Sequence, residues 1–137
     1  MSDSTLVILK PDAVRRSLIG EIIARIENKG YVIEDMTMCT PTEEILRKHY
    51  AEHEGKPFFT PLMEFMSSGP VAVLKVGGTQ VIPGMRSLCG QTDPTTAAPG
   101  TIRGDLGRDW GTVVQQNLIH ASDSPESAAR ELSIWFG

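Results

Sequence analysis

Short β-prone runs alternate with segments of helical periodicity along the chain, and this alternation limits the fold more than any other feature of the sequence. Strands are predicted over 5–10, 31–40, 71–76 and 113–119, and helices over 12–29, 41–50, 58–66, 79–88 and 124–135. A long loop rich in Gly, Pro, Asp and Thr covers 90–111. The order β-α-β-α-α-β-α-loop-β-α fits a split βαβ plait, an α+β fold, with helices on one face of the sheet.

Two of the predicted helices begin at residues that favour a helix start. Asp12 can accept hydrogen bonds from the first free N–H groups of the helix over 12–29, which ends at Gly30. The last helix begins with Ser124, Pro125 and Glu126, which supply an N-cap, a proline at the first helical position and an early carboxylate.

The composition predicts one domain over residues 1–137. Hydrophobic residues make up 40% and charged residues 22% of the chain, and its longest apolar runs are far too short to span a membrane. The first residues lack the basic and apolar regions of a secretory signal, so we expect a cytoplasmic protein in which Cys39 and Cys89 are buried, reduced thiols. The net charge of −4 argues against a nucleic acid as the primary partner.

The common nucleotide and metal motifs are missing from the sequence. There is no G-x-G-x-x-G, and Gly55-Lys56 is followed by Pro57 where a P-loop requires Ser or Thr. No H-E-x-x-H sequence and no EF-hand loop occurs either. The sequence therefore excludes a Walker-type ATPase and predicts no metal site built by the protein alone.

The loop over 90–111 and its approaches are polar where packing would favour apolar residues. Arg86, Thr92, Asp93 and Arg103 occur there among prolines and glycines. The guanidinium fork suits phosphate oxygens and keeps its charge, so two arginines and a hydroxyl on a proline-stiffened loop can converge on a phosphate group. The alternative is a solvated loop with surface arginines.

A second polar stretch, Asn117 to Ser124, places His120 where a predicted strand leads into the last helix. The strand period of two puts His120 on the opposite face from Ile119, and a helix that folds back could bring Glu131 beside the imidazole. His120 is then a candidate phosphoryl acceptor, because a phosphoramidate conserves the transfer potential of a phosphoanhydride. The alternative is a structural histidine at a strand end.

The segment Asn117-Leu118-Ile119-His120-Ala121-Ser122-Asp123-Ser124 resembles the active-site signature of nucleoside diphosphate kinases. Further matches run in order through residues 4–136: Leu9-Lys10-Pro11-Asp12, Gly20-Glu21-Ile22-Ile23, His49-Tyr50, Lys56-Pro57-Phe58-Phe59, Ser68-Gly69-Pro70-Val71, Gly90-x-Thr92-Asp93-Pro94 and Pro99 to Asp105. The resemblance implies a ferredoxin-like split βαβ plait, with an antiparallel four-stranded sheet covered by helices. It also implies ping-pong transfer of the γ-phosphoryl group from a nucleoside triphosphate such as ATP to a nucleoside diphosphate.

The resemblance implies roles for individual residues as well. His120 is the phosphorylated nucleophile, through Nδ1, and the other catalytic residues are Glu131, Ser122, Lys10 and Tyr50. Which ring nitrogen Glu131 contacts stays open. Lys10 also reaches the sugar hydroxyls and the γ-phosphate region, and the remaining nucleotide contacts are Arg86, Thr92, Arg103 and His53 at the phosphates, Asn117 at the ribose 3′-hydroxyl, and Phe58, Leu62 and Val114 around the base. His49 receives no role.

The same resemblance implies a cofactor and partners. Mg²⁺ arrives bound to the β- and γ-phosphates of the nucleotide, so the protein needs no acidic cage. The partners are nucleoside di- and triphosphates and further copies of the chain, in a homo-oligomer for which a hexamer is favoured and a tetramer is possible.

Three differences from the family pattern stand out. Within Gly107 to Gly111 the chain has about four residues more than the usual spacing, which a glycine-bounded hairpin or bulge could absorb. Ala121 stands where many relatives have Gly, and the chain ends at Gly137 without a C-terminal extension. We expect one source of contact between subunits to be missing as a result.

Two other functions compete with the kinase interpretation. The first is a catalytically idle nucleotide-binding or scaffold protein on the same fold. The second is a plait-type RNA or DNA binder, which the net charge and the lack of an aromatic RNP-like strand disfavour.

Overall fold

Four strands form one antiparallel sheet in the order β2-β3-β1-β4 in the computed structural model, which describes residues 3–137. The strands are β1 (Asp3–Leu9), β2 (Val32–Cys39), β3 (Val71–Gly78) and β4 (Ile119–Ala121). The helices are α1 (Pro11–Arg15), α2 (Ile19–Asn28), α3 (Glu43–His49), α4 (Phe59–Met66), α5 (Val81–Cys89), α6 (Ile102–Leu106) and α7 (Pro125–Phe136), with a 3-10 turn at Ala51–His53. The predicted plait with a four-stranded antiparallel sheet is confirmed.

Helices cover both faces of this sheet, so the prediction of helices on one face is wrong. Val7 and Leu9 of β1 belong to a core with residues of α2 and α5. Leu6 and Ile8 belong to a second core with residues of α3, α4 and α7. A strand that is buried on both faces is continuously apolar rather than alternating, which explains the unbroken run of β1.

The helix predicted over 12–29 is divided into α1 and α2. Ser17 has a φ of 59°, in the left-handed region that ends a right-handed helix. Asp12 is not the predicted N-cap, because the helix already begins at Pro11. The Asp12 carboxylate instead accepts a hydrogen bond from the Leu118 backbone N–H, at 3.1 Å.

Two predictions about the second half of the chain also need correction. The loop over 90–111 contains α6, whose N-cap Thr101 accepts a hydrogen bond from the Gly104 N–H at 2.9 Å. The strand predicted over 113–119 is limited to the residues of β4, because the positive φ of Leu118 breaks the extended backbone just before it. Cys89 is buried as expected, whereas Cys39 is only partly buried, and both are free thiols.

Among the helices of residues 3–137, none is long and apolar enough to cross a membrane.

Candidate active site

His120 lies in the middle of β4, on the face of the sheet that α7 covers. β4 pairs with the end of β1, and Ile8 lies opposite His120. The neighbours Ile119 and Ala121 point into the core on the other face. The His120 side chain keeps 22% of its surface exposed, enough for a small group to reach it.

Glu131 and Ser122 hold one edge of the His120 ring, and we call these three residues the nucleophile corner, after the role predicted for His120. His120 Nε2 lies 2.8 Å from Glu131 Oε1, and Ser122 Oγ donates to the same oxygen at 2.7 Å. Ser122 Oγ also accepts a hydrogen bond from the Leu6 N–H in β1, at 3.2 Å. Hydrogen bonds that join β1, β4 and α7 therefore hold the corner in place.

The protonation of the corner follows from these bonds. Burial pushes the pKa of Glu131 up, but the hydrogen bonds from His120 and Ser122 outweigh burial and hold that pKa below its usual range. An ionised carboxylate can only accept hydrogen bonds, so Nε2 carries a proton and donates a hydrogen bond to Glu131. The Nδ1 atom of a neutral ring then has a free lone pair, and none of the described residues forms a hydrogen bond with it.

A strained turn leads into β4. The Ile119 N–H donates to the Asn117 carbonyl at 2.8 Å, and Leu118 between them has a φ of 75°. This is a γ-turn of the rare, strained kind, which persists only where surrounding contacts enforce it. The buried Asp12 supplies such a contact by accepting from the Leu118 N–H, and the Lys10 N–H donates to the Leu118 carbonyl at 2.8 Å.

Lys10, Asn117 and Thr92 form a hydrogen-bonded chain beside this turn. Lys10 Nζ donates to Asn117 Oδ1 at 2.8 Å, and Asn117 Nδ2 donates to the Thr92 carbonyl at 2.9 Å. Burial, together with the nearby positive charge of Arg103, lowers the pKa of Lys10 to about 8. The ammonium group should therefore lose its proton in mildly alkaline solution.

Arg103 is a buried cation that braces the backbone around the site. Its guanidinium donates to the carbonyls of Gly90 at 2.9 Å, Ile119 at 2.5 Å and Asn117 at 3.3 Å. Burial lowers its pKa, but an arginine stays charged at neutral pH. Arg86 is less constrained, with a single bond of 3.3 Å to the Ala121 carbonyl.

A cavity of about 460 Å³ opens over the nucleophile corner. Its walls include His120, Glu131, Tyr50, His53 and Arg86. Burial and the negative charge of Glu131 raise the pKa of Tyr50, which keeps this phenol neutral and able to donate a hydrogen bond. Arg86 also lines a shallower opening that contains Thr92, so the guanidinium connects the two spaces.

The base side, by which we mean Phe58, Leu62 and Val114, is less completely assembled. Phe58 is 42% exposed and lies edge-on to His53, with a centroid distance of 5.3 Å. Leu62 and Val114 are partly buried against the core under α4, and Val114 lines a surface groove that does not include Phe58. The groove beside Val114 is lined by Arg15, Pro61, Phe65 and Thr112 among others, and the Phe58 ring is not part of its wall.

The additional residues of Gly107 to Gly111 form an irregular loop rather than a hairpin. Trp110 is 47% exposed, and its ring lies 4.4 Å from the Arg108 guanidinium and 5.5 Å from that of Arg16. Gln115 connects the residues after this loop to the segment between α5 and α6 by donating a hydrogen bond to Asp93 Oδ1 at 3.1 Å.

One group of side chains could hold a metal ion. One ligand atom each from His49, His120 and Glu131 lies within 4.8 Å of the others. Mg²⁺ prefers a set of oxygen ligands, so two imidazoles and one carboxylate do not suit it. A softer ion would also need a free nitrogen on His49, whose Nδ1 already accepts a hydrogen bond from Trp135 Nε1 at 3.0 Å.

Four residues of this site were not predicted from the sequence: Asp12, His49, Arg130 and Trp135. Asp12 supports the γ-turn, and Arg130 lines the cavity with its Nη2 atom 3.7 Å from Glu131 Oε2. Arg130 stands directly before Glu131, and Asp12 and His49 lie in segments that match the family pattern, so three of the four had a signal in the sequence. The His49 and Trp135 pair joins residues that are far apart in sequence, which no local pattern reveals.

The fold and the site together define a ferredoxin-like α+β protein in which a histidine, held by a carboxylate, faces a cavity bordered by cations. The family model for nucleoside diphosphate kinase matches residues 3–137. A nucleoside diphosphate kinase of Streptomyces avermitilis is 59% identical over 137 residues, which cover 99% of this chain and 97% of that protein. The chain therefore belongs to the nucleoside diphosphate kinase family, and it is a phosphotransferase.

Solved structures of two relatives share this fold. A nucleoside-diphosphate kinase from Borrelia burgdorferi, a transition-state mimic with bound vanadate and ADP, has a TM-score of 0.92 and 36% identity. A halophilic nucleoside diphosphate kinase from Halobacterium salinarum, in complex with CDP, has a TM-score of 0.93 and 43% identity. Each match covers 99% of this chain and 88% of the other. The activity of the family is transfer of a γ-phosphoryl group from a nucleoside triphosphate to a nucleoside diphosphate.

Proposed function

We propose that His120 carries the phosphoryl group between the two nucleotides. The observation that supports this most directly is the 2.8 Å contact of Nε2 with Glu131, which leaves the Nδ1 lone pair free beside the cavity. In the first step this lone pair attacks the γ-phosphorus, and the bond to the bridging oxygen breaks with its electrons on the departing diphosphate. In the second step the terminal oxygen of another diphosphate attacks the phosphohistidine, and Nδ1 recovers its lone pair.

Glu131 and Ser122 support this reaction by stabilising the charge that develops on the ring. As Nδ1 forms a bond to phosphorus, the imidazole becomes cationic, and the ionised Glu131 on Nε2 offsets that charge. Ser122 keeps the carboxylate oriented through its 2.7 Å bond. Both interactions strengthen on the way to the transition state, which is the condition for catalysis.

The cations and donors around the corner bind the triphosphate chain in this proposal. Arg86 and Thr92 share an opening next to the His120 cavity, and Lys10 and Asn117 are already joined by a hydrogen bond. Positive charge and hydroxyl donors stabilise the charge that is shared by the transferring group and the leaving diphosphate. The complete set of proposed phosphate and sugar contacts is Lys10, Tyr50, His53, Arg86, Thr92, Arg103 and Asn117.

Mg²⁺ enters this proposal as part of the substrate. Of the three carboxylates that line the cavity, Glu131 is already occupied by His120 and Ser122. Glu52 and Asp123 belong to no close group of potential metal ligands among the described residues, so the chain offers no oxygen cage for the ion there. When bound to the β- and γ-phosphates, Mg²⁺ neutralises charge that builds up between them. The protein's own residues then need only orient the nucleotide with Nδ1 in line.

We also propose stacking of the base on Phe58, with Leu62 and Val114 forming the rest of the cleft when a nucleotide is present. The half-exposed ring of Phe58 offers a face to a base of any identity. Because stacking does not read base edges, this arrangement predicts broad use of purine and pyrimidine nucleotides.

A cytoplasmic homo-oligomer, with a hexamer favoured over a tetramer, completes the proposal. β2 is an edge strand of the sheet, and its Val32, Met36 and Met38 side chains are at least half exposed. An apolar edge of this kind invites pairing with another chain. Light scattering on the purified chain measures the number of subunits.

Initial-rate kinetics of ATP formation from GTP and ADP test the proposed reaction. A phosphohistidine intermediate predicts parallel double-reciprocal lines when one nucleotide is varied at several concentrations of the other. His120→Gly should remove the exchange while nucleotide binding survives. Intersecting lines would contradict the intermediate, and a wild-type chain that binds nucleotides without exchange would favour the idle scaffold.

A further inference from the structure

A second histidine, His49, lies directly beside the nucleophile without a part in the proposed reaction. Its ring centroid is 4.7 Å from that of His120, with the two planes at 78°, and 4.6 Å from that of Tyr50. His49 is buried and belongs to the wall of the His120 cavity. Edge-to-face packing at these distances is favourable and depends on the orientation of both rings.

Trp135 determines which nitrogen of His49 carries the proton. The indole Nε1 lies 3.0 Å from His49 Nδ1, and an indole N–H can only donate. Nδ1 must therefore be an acceptor with a free lone pair, and the neutral ring carries its proton on Nε2. Protonation of Nδ1 would turn this hydrogen bond into a contact between two donors.

Several charged groups face His49, and they explain why its neutrality matters. Burial, followed by the proximity of His120, lowers the pKa of His49 to about 3, with Arg130 and Lys10 acting in the same direction and Glu131 against them. A cationic His49 would attract the Glu131 carboxylate away from His120 Nε2. A neutral ring leaves that carboxylate to the nucleophile.

We propose that His49 is a positioning residue for His120, and that Trp135 fixes it as the neutral tautomer with the proton on Nε2. The inference rests on the proposed function of His120. The hydrogen bond to Glu131 holds the nucleophile at one atom, about which the ring can still tilt. The edge contact with His49 supplies the second constraint, so that Nδ1 stays in one place before the nucleotide binds.

Trp135→Phe tests this role, because it removes the N–H donor and keeps an aromatic ring in the same core. The chain has one other tryptophan, Trp110, which lies in the irregular loop and makes Trp110→Phe a matched control. Rapid-quench phosphorylation of His120 by MgATP should slow roughly tenfold in Trp135→Phe, since small misplacements of reacting atoms are costly. The ATP dissociation constant should not change, and Trp110→Phe should match the wild type.

Nitrogen-15 NMR of histidine-labelled protein shows which nitrogen of each ring carries the proton. This pattern would not change if Trp135 only filled space in the core. The chain has three histidines, so each ring can be assigned. In the wild type, His49 should show the neutral pattern with the proton on Nε2, and Trp135→Phe should introduce the tautomer with the proton on Nδ1. A wild-type His49 with its proton on Nδ1, or an unchanged rate in a folded Trp135→Phe, would overturn the proposal.

These experiments separate the two proposals. A wild-type chain that takes up no phosphoryl group overturns the function of His120 and the positioning role with it. A wild-type chain that is phosphorylated at the same rate as Trp135→Phe overturns only the role of His49. If Trp135→Phe does not fold, the wild-type spectrum decides whether His49 has the required tautomer.

Discussion

The nucleophile corner and the base side differ in how completely the protein builds them without a ligand. The corner joins β1, β4 and α7 through hydrogen bonds of 2.7 to 3.2 Å among largely buried side chains. On the base side, Phe58 is half-exposed and Val114 lies in a separate groove. The chain therefore fixes the group for which we propose a chemical role, and it leaves the proposed base-binding surface adjustable.

This difference has a physical reason. Catalytic hydrogen bonds act only if they are oriented before charge develops, because reorienting dipoles during the reaction costs free energy. Stacking on a base needs area rather than direction, so a half-exposed ring suffices. Substitutions in the corner should therefore reduce the rate of transfer, whereas substitutions on the base side should change mainly the KM.

Apart from loss of His120 itself, the largest effect is expected for Arg103→Lys, which retains the positive charge and removes the planar guanidinium. A lysine can reach only one of the three carbonyls that Arg103 now contacts, so both the γ-turn and the phosphate site should lose support. We expect kcat/KM to fall by about a hundredfold or more. Arg108→Lys in the exposed loop is the control, and equal effects of the two substitutions would show that Arg103 is not part of the site.

Glu131→Gln should reduce the rate of His120 phosphorylation by about tenfold to a hundredfold with little change in ATP affinity. The amide retains the shape of the side chain but cannot offset the charge that develops on the ring. Single-turnover kinetics and equilibrium binding measure the two quantities separately. A change confined to ATP affinity would place Glu131 in nucleotide binding instead.

The pH dependence of kcat/KM should report Lys10. Since burial and Arg103 lower the pKa of Lys10 to about 8 in the free protein, the ammonium is lost as pH rises above that value. Between pH 7 and pH 9 we expect a decrease of roughly tenfold. Lys10→Arg keeps a charged group at pH 9, so the decrease in kcat/KM should disappear in this variant. An unchanged decrease would show that another group titrates.

The smallest effect is expected on the base side. Phe58→Ala should raise the KM for nucleotides about fivefold and leave kcat nearly unchanged, through the loss of stacking. Val114→Ala should change the KM less than this, because the partly buried Val114 loses only two methyl groups and no aromatic face. Equal increases for several bases would support stacking, and a larger effect of Val114→Ala would show that the nucleotide closes the cleft around it.

Local patterns of the sequence predicted the plait, the face of His120 and the start of α7. Ser124 does accept a hydrogen bond from the Ser127 N–H at 3.1 Å, as an N-cap should. The continuous apolar run of β1 indicates a sheet covered on both faces, which the element order alone does not reveal. These features depend on residues within a few positions of each other.

The rest of the site depends on contacts between residues that are distant in sequence. Asp12 supports Leu118, and Trp135 fixes His49, through pairs that no periodicity connects. The γ-turn at Leu118 was not predictable either, since leucine disfavours a positive φ and the surrounding contacts impose it. Tertiary structure therefore decides the features that orient the His120 ring, whereas the prediction that His120 is the nucleophile came from the sequence.

The most direct test of this account is the site and chemistry of labelling by γ-labelled ATP. We expect one acid-labile, base-stable label on the peptide that contains His120, no label on His120→Gly, and release of the label as a triphosphate when a second nucleoside diphosphate is added. Label on another residue, or equal labelling of the wild type and His120→Gly, would contradict the central claim.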